Sequence, residues 1–370
     1  MYRNTWMEID LDAIYDNVLK TKQICHKKYI AVCKANGYGN GDEEVAKTCI
    51  EAGADMLAVS SLDEAIILRN EGFTLPILVL GATNVEDVQV MIDHDISVTA
   101  FSREWVKQIT ENSCKGLKIH LAVDTGMNRL GFKDLNSLKE AFHLLNGAGC
   151  IMEGIFTHFY CSSNKDHSLT EKQFSKFKEA VNYLDYPFEW IHCDNSDATI
   201  FFKDDLSNAC RVGISLYGIS PFTNELKYTT ALYTEVFMTK TIHAGETVGY
   251  GALHTAKQDE IIGTCPIGYA DGFIRHNRGR KVYVDGTYAE VVGNVCMDQM
   301  MILLDHDVKV GTIVEIFGKH IDIEDMAKEL DTISYEIMCL ISERVTRKYI
   351  RHGECIKEIN LRLEHSRNSH

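Results

Sequence analysis

Residues 29–61 read YIAVCKANGYGNGDEEVAKTCIEAGADMLAVSS. An apolar run (29–35) leads into a Gly-rich turn. The amphipathic stretch EEVAKTCIEAG follows and stops on Gly53, and a second apolar run (55–61) comes next. Short, near-continuous apolar runs suit strands buried on both faces, and the segment between them carries helical periodicity. The reading is strand, helix, strand in a parallel sheet. The pattern then repeats outward: PILVLGA (76–82), ISVTAFS (96–102), KIHLAVD (118–124), CIMEGIFTH (150–158), FEWIHCD (188–194) and CRVGISLYG (210–218). Helical stretches separate them, among them SLDEAIILRNEG, capped near Ser61 and stopped by Gly72, and TEKQFSKFKEAVNYL. Eight buried strands alternating with helices is the count of a (β/α)8 TIM-type barrel; a doubly wound open sheet competes, and the count favours the barrel.

After about residue 225 the texture changes. Strand-like runs follow closely: LYTEVFMTKTI (232–242), EIIGTCPIGYA (260–270), RKVYVDG (280–286), YAEVVGNVCM (288–297), QMMILLD (299–305) and TIVEIFG (312–318). Gly and Asp turn signals separate them, which predicts a mostly β second domain. A helical pair (323–331 and 333–349) and a frayed tail, EHSRNSH, complete the reading. The expected domains are 1–225, with its first few residues a candidate addition to the β-domain, and 226–370.

The net charge of −15 argues against a nucleic-acid partner, which needs a basic face. The 12 cysteines form no C-x-x-C pair, so neither a zinc nor a redox motif is predicted and no metal is expected. Several lie in apolar runs and read as reduced, buried thiols of a cytoplasmic protein. The start, MYRNTWMEID, lacks an apolar signal core, and no apolar stretch approaches the ~18 residues that cross a bilayer, so no membrane segment is expected in this chain.

In a barrel, function gathers at the C-terminal ends of the strands. Those ends carry Lys34 closing the first strand, His158 closing the sixth, Asn195 and Ser196 after the seventh, and Arg211 in the eighth with Gly213 and Ile214 beyond it. A lysine at an apolar barrel mouth has its amine pKa lowered by desolvation, which suits a Schiff base with an aldehyde cofactor. A rim lysine reaching for solvent is the plainer alternative, as a salt-bridged structural arginine is for Arg211.

The motifs shift that balance. AVCKANGYGNG resembles the pyridoxal-phosphate (PLP) lysine motif of the alanine racemase family. DTGMNRLGF (124–132), GIFTHF (154–159), DNSDA (194–198), RVGISLYG (211–218), VGYGA (248–252), PIGYADG (266–272) and VCMDQ (295–299) resemble that family's segments, in its order. The resemblance spans essentially the whole chain, and the family's fold is a barrel followed by a β-domain. It implies PLP-dependent racemisation of a small amino acid, alanine first, with Lys34 holding PLP and acting as one base. Tyr250 of the partner subunit would be the other base, since inversion takes a proton from one face and returns one to the opposite face. Arg211 would face the pyridine nitrogen, with His158 linking it towards the tyrosine. Tyr38, Ser196, Gly213, Ile214 and Tyr335 match phosphate-binding positions. Arg129, Met297, Tyr269 and Asp298 match positions that orient substrate or line its entrance. A head-to-tail homodimer with shared active sites follows from the same resemblance.

The chain departs from the family at several points. Ala122 stands where many members carry a carbamylated lysine bracing the arginine at 129, so no such adduct is expected, and a bound anion or another side chain takes its place. Val212 replaces a proline, and Gly249 replaces a common serine. Tyr335 favours alanine over serine, although a pocket rejects one added hydroxyl only weakly. The rival readings are a serine racemase of the vancomycin-resistance type, a PLP-dependent decarboxylase and a non-catalytic PLP-binding protein.

Overall fold

The computed structural model describes residues 2–363, so the tail EHSRNSH (364–370) lies outside the described residues. Twenty strands run through them. The first, β1 (Thr5–Asp10), belongs to the second compact unit below. The next eight are β2 (Lys28–Val32), β3 (Met56–Val59), β4 (Ile77–Val79), β5 (Ile96–Ala100), β6 (Lys118–Ala122), β7 (Ile151–Phe156), β8 (Trp190–Asp194) and β9 (Ala209–Val212). They are parallel neighbours in chain order, and β9 pairs with β2 to close the barrel. This unit comprises Ala13–Gly37 and Asp42–Lys227. Every residue of β3, β4, β5 and β9 is buried, as a sheet lined inside and covered outside requires. The expected helices form at Asp42–Glu51, at Leu62–Asn70 with the Ser61 hydroxyl accepting from the Glu64 N–H, and at Ser168–Leu184.

All eight expected barrel strands are present, and most are shorter than their apolar runs. Lys34 and His158, expected to close strands, lie two residues beyond the ends of β2 and β7. The intervening Cys33 and Thr157 are still buried. Apolarity reports burial, and burial continues past the last ladder pair.

The second unit gathers the N-terminal residues through Asp12, Tyr38–Gly41 and the chain from Tyr228 onward. Its strands are β10 (Thr230–Glu235), β11 (Met238–Ile242), β12 (Thr247–Val248), β13 (His254–Thr255), β14 (Glu260–Cys265), β15 (Lys281–Val284), β16 (Thr287–Val292), β17 (Met300–Leu304), β18 (Ile313–Phe317), β19 (Thr346–Arg351) and β20 (Glu354–Ile359). Ten strands make one sheet in the order β11-β14-β17-β16-β15-β18-β10-β1-β19-β20, and β12 with β13 makes a small second one. The single run expected over 232–242 is broken into β10 and β11.

The helical pair needs a larger correction. Its first member forms at Ile323–Glu329. Its second stops at Leu340, and residues expected to continue it become β19, parallel to β1. Ile341 turns extended, and the fully buried Arg347 donates to the carbonyls of Ile341 (2.7 Å), Ser342 (2.6 Å) and Val345 (2.7 Å), satisfying backbone left open where the helix ends. Among the described residues no helix is long and apolar enough to cross a membrane.

Candidate active site

After Lys34 the chain takes a positive φ at five residues in succession, Ala35 (53°), Asn36 (52°), Gly37 (58°), Tyr38 (55°) and Gly39 (83°). Each residue with a Cβ pays about 1–2 kcal/mol there, so the turn must be held from outside. Glu64 does this with both oxygens, one accepting from the Ala35 N–H (2.7 Å) and the other from the Ser60 N–H (2.6 Å). The Asn36 side chain accepts from the Asp42 N–H (3.1 Å), and the Gly37 N–H closes back onto the Cys33 carbonyl (3.0 Å). The turn reverses the chain directly after β2 and fixes where Lys34 sits.

Arg211 lies in β9, buried. Its guanidinium donates to His192 Nδ1 (2.8 Å), to the carbonyls of His192 (3.0 Å) and Thr157 (2.8 Å), and more weakly to His158 Nδ1 (3.4 Å). It also lies over the Phe156 ring. Burial pushes its pKa down to about 10, which leaves it charged at neutral pH. His158 is pushed down to about 3, chiefly by burial and further by Arg211, Arg129 and Lys34. Burial, with positive charge nearby, thus keeps this imidazole neutral. Gln173 fixes the backbone there, donating to the His158 carbonyl (3.0 Å).

Beyond β8, Asn195 caps the short helix Ser196–Phe201 by accepting from the Ala198 N–H. The Ser196 hydroxyl accepts from the Gly213 N–H (2.9 Å), and Ile214 opens a 3-10 turn. Backbone N–H groups and a hydroxyl therefore meet where β8 and β9 end. The loop carrying Arg129 is built by Asp124, whose carboxylate accepts from the N–H groups of Gly126 (3.0 Å) and Asn128 (2.9 Å). Arg129 itself is exposed, and its side chain makes no hydrogen bond or ion pair among the described residues. Ala122 is buried and offers only its carbonyl, to the Phe132 N–H. Cys193, Asp194 and Asp204 lie within metal-ligand reach of one another, but the Lys27 ammonium occupies the position, 2.7 Å from Asp194 and 2.5 Å from Asp204.

In the second unit, the rings of Tyr38 and Tyr335 lie 6.0 Å apart. Three loops form one surface. Asn294 donates to the Tyr250 carbonyl (2.7 Å), the Tyr269 N–H to Cys296 (3.0 Å), and the Ala270 N–H to the Met297 carbonyl (3.0 Å). This brings Tyr250, Tyr269, Met297 and Asp298 into one cluster, with Asp298 held by Arg344 (2.6 Å). Tyr250 is 72% exposed.

The sequence reading missed His192. Its signal was present: a histidine inside FEWIHCD, in a strand expected to be buried on both faces, needs a polar partner.

The family profile described as alanine racemase, N-terminal domain, matches residues 9–221, and that described as alanine racemase, C-terminal domain, matches residues 229–349. An alanine racemase of Geobacillus kaustophilus is 41% identical over 375 residues, covering 97% of this chain and 98% of that relative. The chain belongs to the alanine racemase family. Membership places it among the racemase-type isomerases, a family known to depend on PLP. A crystal structure of alanine racemase from Bacillus anthracis with bound L-Ala-P superposes with a TM-score of 0.95 at 37% identity, covering 98% of this chain and 99% of that one. A histidine racemase from Leuconostoc mesenteroides subsp. sake superposes at 0.88 with 30% identity, covering 95% and 99%. Within the family, then, side chains and not the fold decide which amino acid is taken.

Proposed function

We propose that this chain racemises alanine with PLP, using Lys34 as one base and Tyr250 of the partner subunit as the other. The observation that carries the reading is the buried Arg211 of β9, which donates to His192 and His158, on a strand flanked by β2, with Lys34 just beyond its end, and by β8, after which Ser196 accepts from the Gly213 N–H. The donor set fits the cofactor. The Ser196 hydroxyl and the N–H groups around Gly213 and Ile214 suit a phosphate, and the nearby cations suit an anionic ligand. Arg211 can only donate, so facing the pyridine nitrogen it would leave that atom without a proton. When bound, PLP supplies an electron sink that acidifies the α-proton.

Lys34 takes or returns that proton on one face, and the phenol of the partner's Tyr250 serves the other. His158 Nδ1 accepts from Arg211, so its proton sits on Nε2 and is available to hold a phenolate. Arg129 orients the substrate carboxylate with the Met297 N–H, while Tyr269 and Asp298 line the entrance. Tyr335, its ring 6.0 Å from that of Tyr38, narrows the pocket towards a methyl side chain, and Tyr38 serves the phosphate. The exposed Tyr250, Leu253, Tyr269 and Met297 support a head-to-tail homodimer that covers this face. The cytoplasm as compartment is supported by twelve cysteines with no disulfide among the described residues.

Borohydride treatment of the holoenzyme is expected to fix PLP to Lys34, and Lys34→Ala to abolish both fixation and racemisation. Tyr250→Phe is expected to block solvent exchange of the α-proton from one alanine enantiomer only. Equal loss from both enantiomers overturns the two-base assignment. Faster turnover of L-serine than of L-alanine overturns the substrate.

A further inference from the structure

Arg211 does not end its hydrogen bonding at His192. The far nitrogen of His192, Nε2, lies 2.8 Å from His120 Nδ1. His120 Nε2 lies 3.0 Å from Glu153 Oε2, and the Ser97 hydroxyl donates to the same oxygen at 2.5 Å. Five consecutive barrel strands, β5 to β9, thus contribute one residue each to a single chain: Ser97, His120, Glu153, His192 and Arg211. All five are buried, the most exposed being Glu153 at 9%.

The chemistry fixes every proton. Arg211 is donor-only, so His192 Nδ1 accepts and the ring proton lies on Nε2. His120 Nδ1 must then accept and carry its own proton on Nε2, which points at Glu153. Each ring keeps one proton, since a second on either would set two N–H groups against each other. Only a carboxylate accepts from both His120 and Ser97 at the far end while supplying a negative charge to offset the buried guanidinium.

The backbone is shaped for this chain. The β6–β7 register slips, pairing Ile119 with Met152 but His120 with Gly154, so Glu153 is the extra residue of a bulge, which re-aims its side chain. A Cβ on Gly154 would lie 2.4 Å from His120 Nδ1, so only glycine leaves room for the ring. Phe156 stacks on His192, with centroids 5.0 Å apart and planes within 5°.

We propose that Glu153, acting with Ser97 through His120 and His192, is a positioning residue for Arg211, holding its orientation and offsetting its charge from across the barrel. This rests on Arg211 facing the cofactor, as proposed above. Neutron diffraction from deuterated holoenzyme crystals reads the relay without reference to activity. Both rings are expected to carry a single deuteron, on Nε2, with Glu153 ionised. A deuteron on Nδ1 of either ring, or a protonated Glu153, overturns the relay. Kinetics test the consequence. Glu153→Gln keeps the shape and removes the charge, and is expected to lower kcat for alanine about tenfold or more while KM changes less than about twofold. Ser97→Ala, which leaves the ring partners in place, is expected to lower kcat in the same sense and by less. Unchanged kcat in both variants overturns the positioning role. A wild type that binds PLP but does not racemise alanine would instead overturn the function proposed above, with the deuteron positions still deciding the relay.

Discussion

His158 is buried beside the Arg211 guanidinium, and its protonation follows from that. The unfolded chain takes up a proton at this residue below about its ordinary value of 6.5, whereas the folded chain refuses it until about 3. The unfolded state binds more protons throughout that window, so stability falls as pH drops, by at most about 1.4 kcal/mol per pH unit for one such group. Burial pushes His192 down too, which acts in the same direction. Urea unfolding is therefore expected to show a lower midpoint at pH 5 than at pH 7. His158→Gln should flatten that decline, and an equally steep decline in the variant would assign the effect to other groups. Lys34 and Arg211 were legible in the sequence as charged residues set in apolar runs. His192 was not recognised, because a histidine in an apolar run looks alike whether it is a satisfied core residue or the partner of a buried arginine.

At the scale of elements, the left-handed turn after Lys34 is the clearest local strain. Ala35 is exposed there, so a larger side chain meets backbone strain without a packing clash. Ala35→Gly relieves the Cβ and gives back part of the gain as unfolded-state entropy, so stability is expected to change by less than about 1 kcal/mol. Ala35→Val places a β-branched residue in the same region and is expected to cost about 1–2 kcal/mol or more. Equal unfolding midpoints for the two variants would show that the turn relaxes. The strand over Thr346–Arg351 shows where periodicity misleads. ISYEIMCLISERVTRKY carries helical spacing throughout, yet its last part finds β1, more than 300 residues away in the chain, and pairs with it in parallel. The bulge at Glu153 was equally hidden, since a one-residue slip in register leaves no compositional trace.

For the whole molecule, the proposed pairing of Lys34 with Tyr250 of the partner subunit makes a quantitative statement about mixed dimers. Lys34→Ala and Tyr250→Phe homodimers are each expected to be inactive. Reassociated together, half the dimers are mixed, and each mixed dimer holds one intact site beside one doubly damaged site. Activity is expected to return to about a quarter of wild type, by the symmetry of a two-fold assembly. No recovery from a mixture shown to exchange subunits would place both bases in one chain. Light scattering on the wild type should give a mass near twice the 41.8 kDa of one chain.

Along the chain, the alternation of buried strands and helices and the change to a β-rich second half were legible. These follow from burial and local conformational preference, which act over a few residues and leave periodic marks. It took the folded barrel to bring a serine, two histidines, a glutamate and an arginine from five strands into one hydrogen-bonded chain. The sequence offered the first residues as an addition to the β-domain, and the structure set their strand between β10 and β19. Register, bulges and ring orientation depend on partners distant in the chain, and no local pattern encodes a distance.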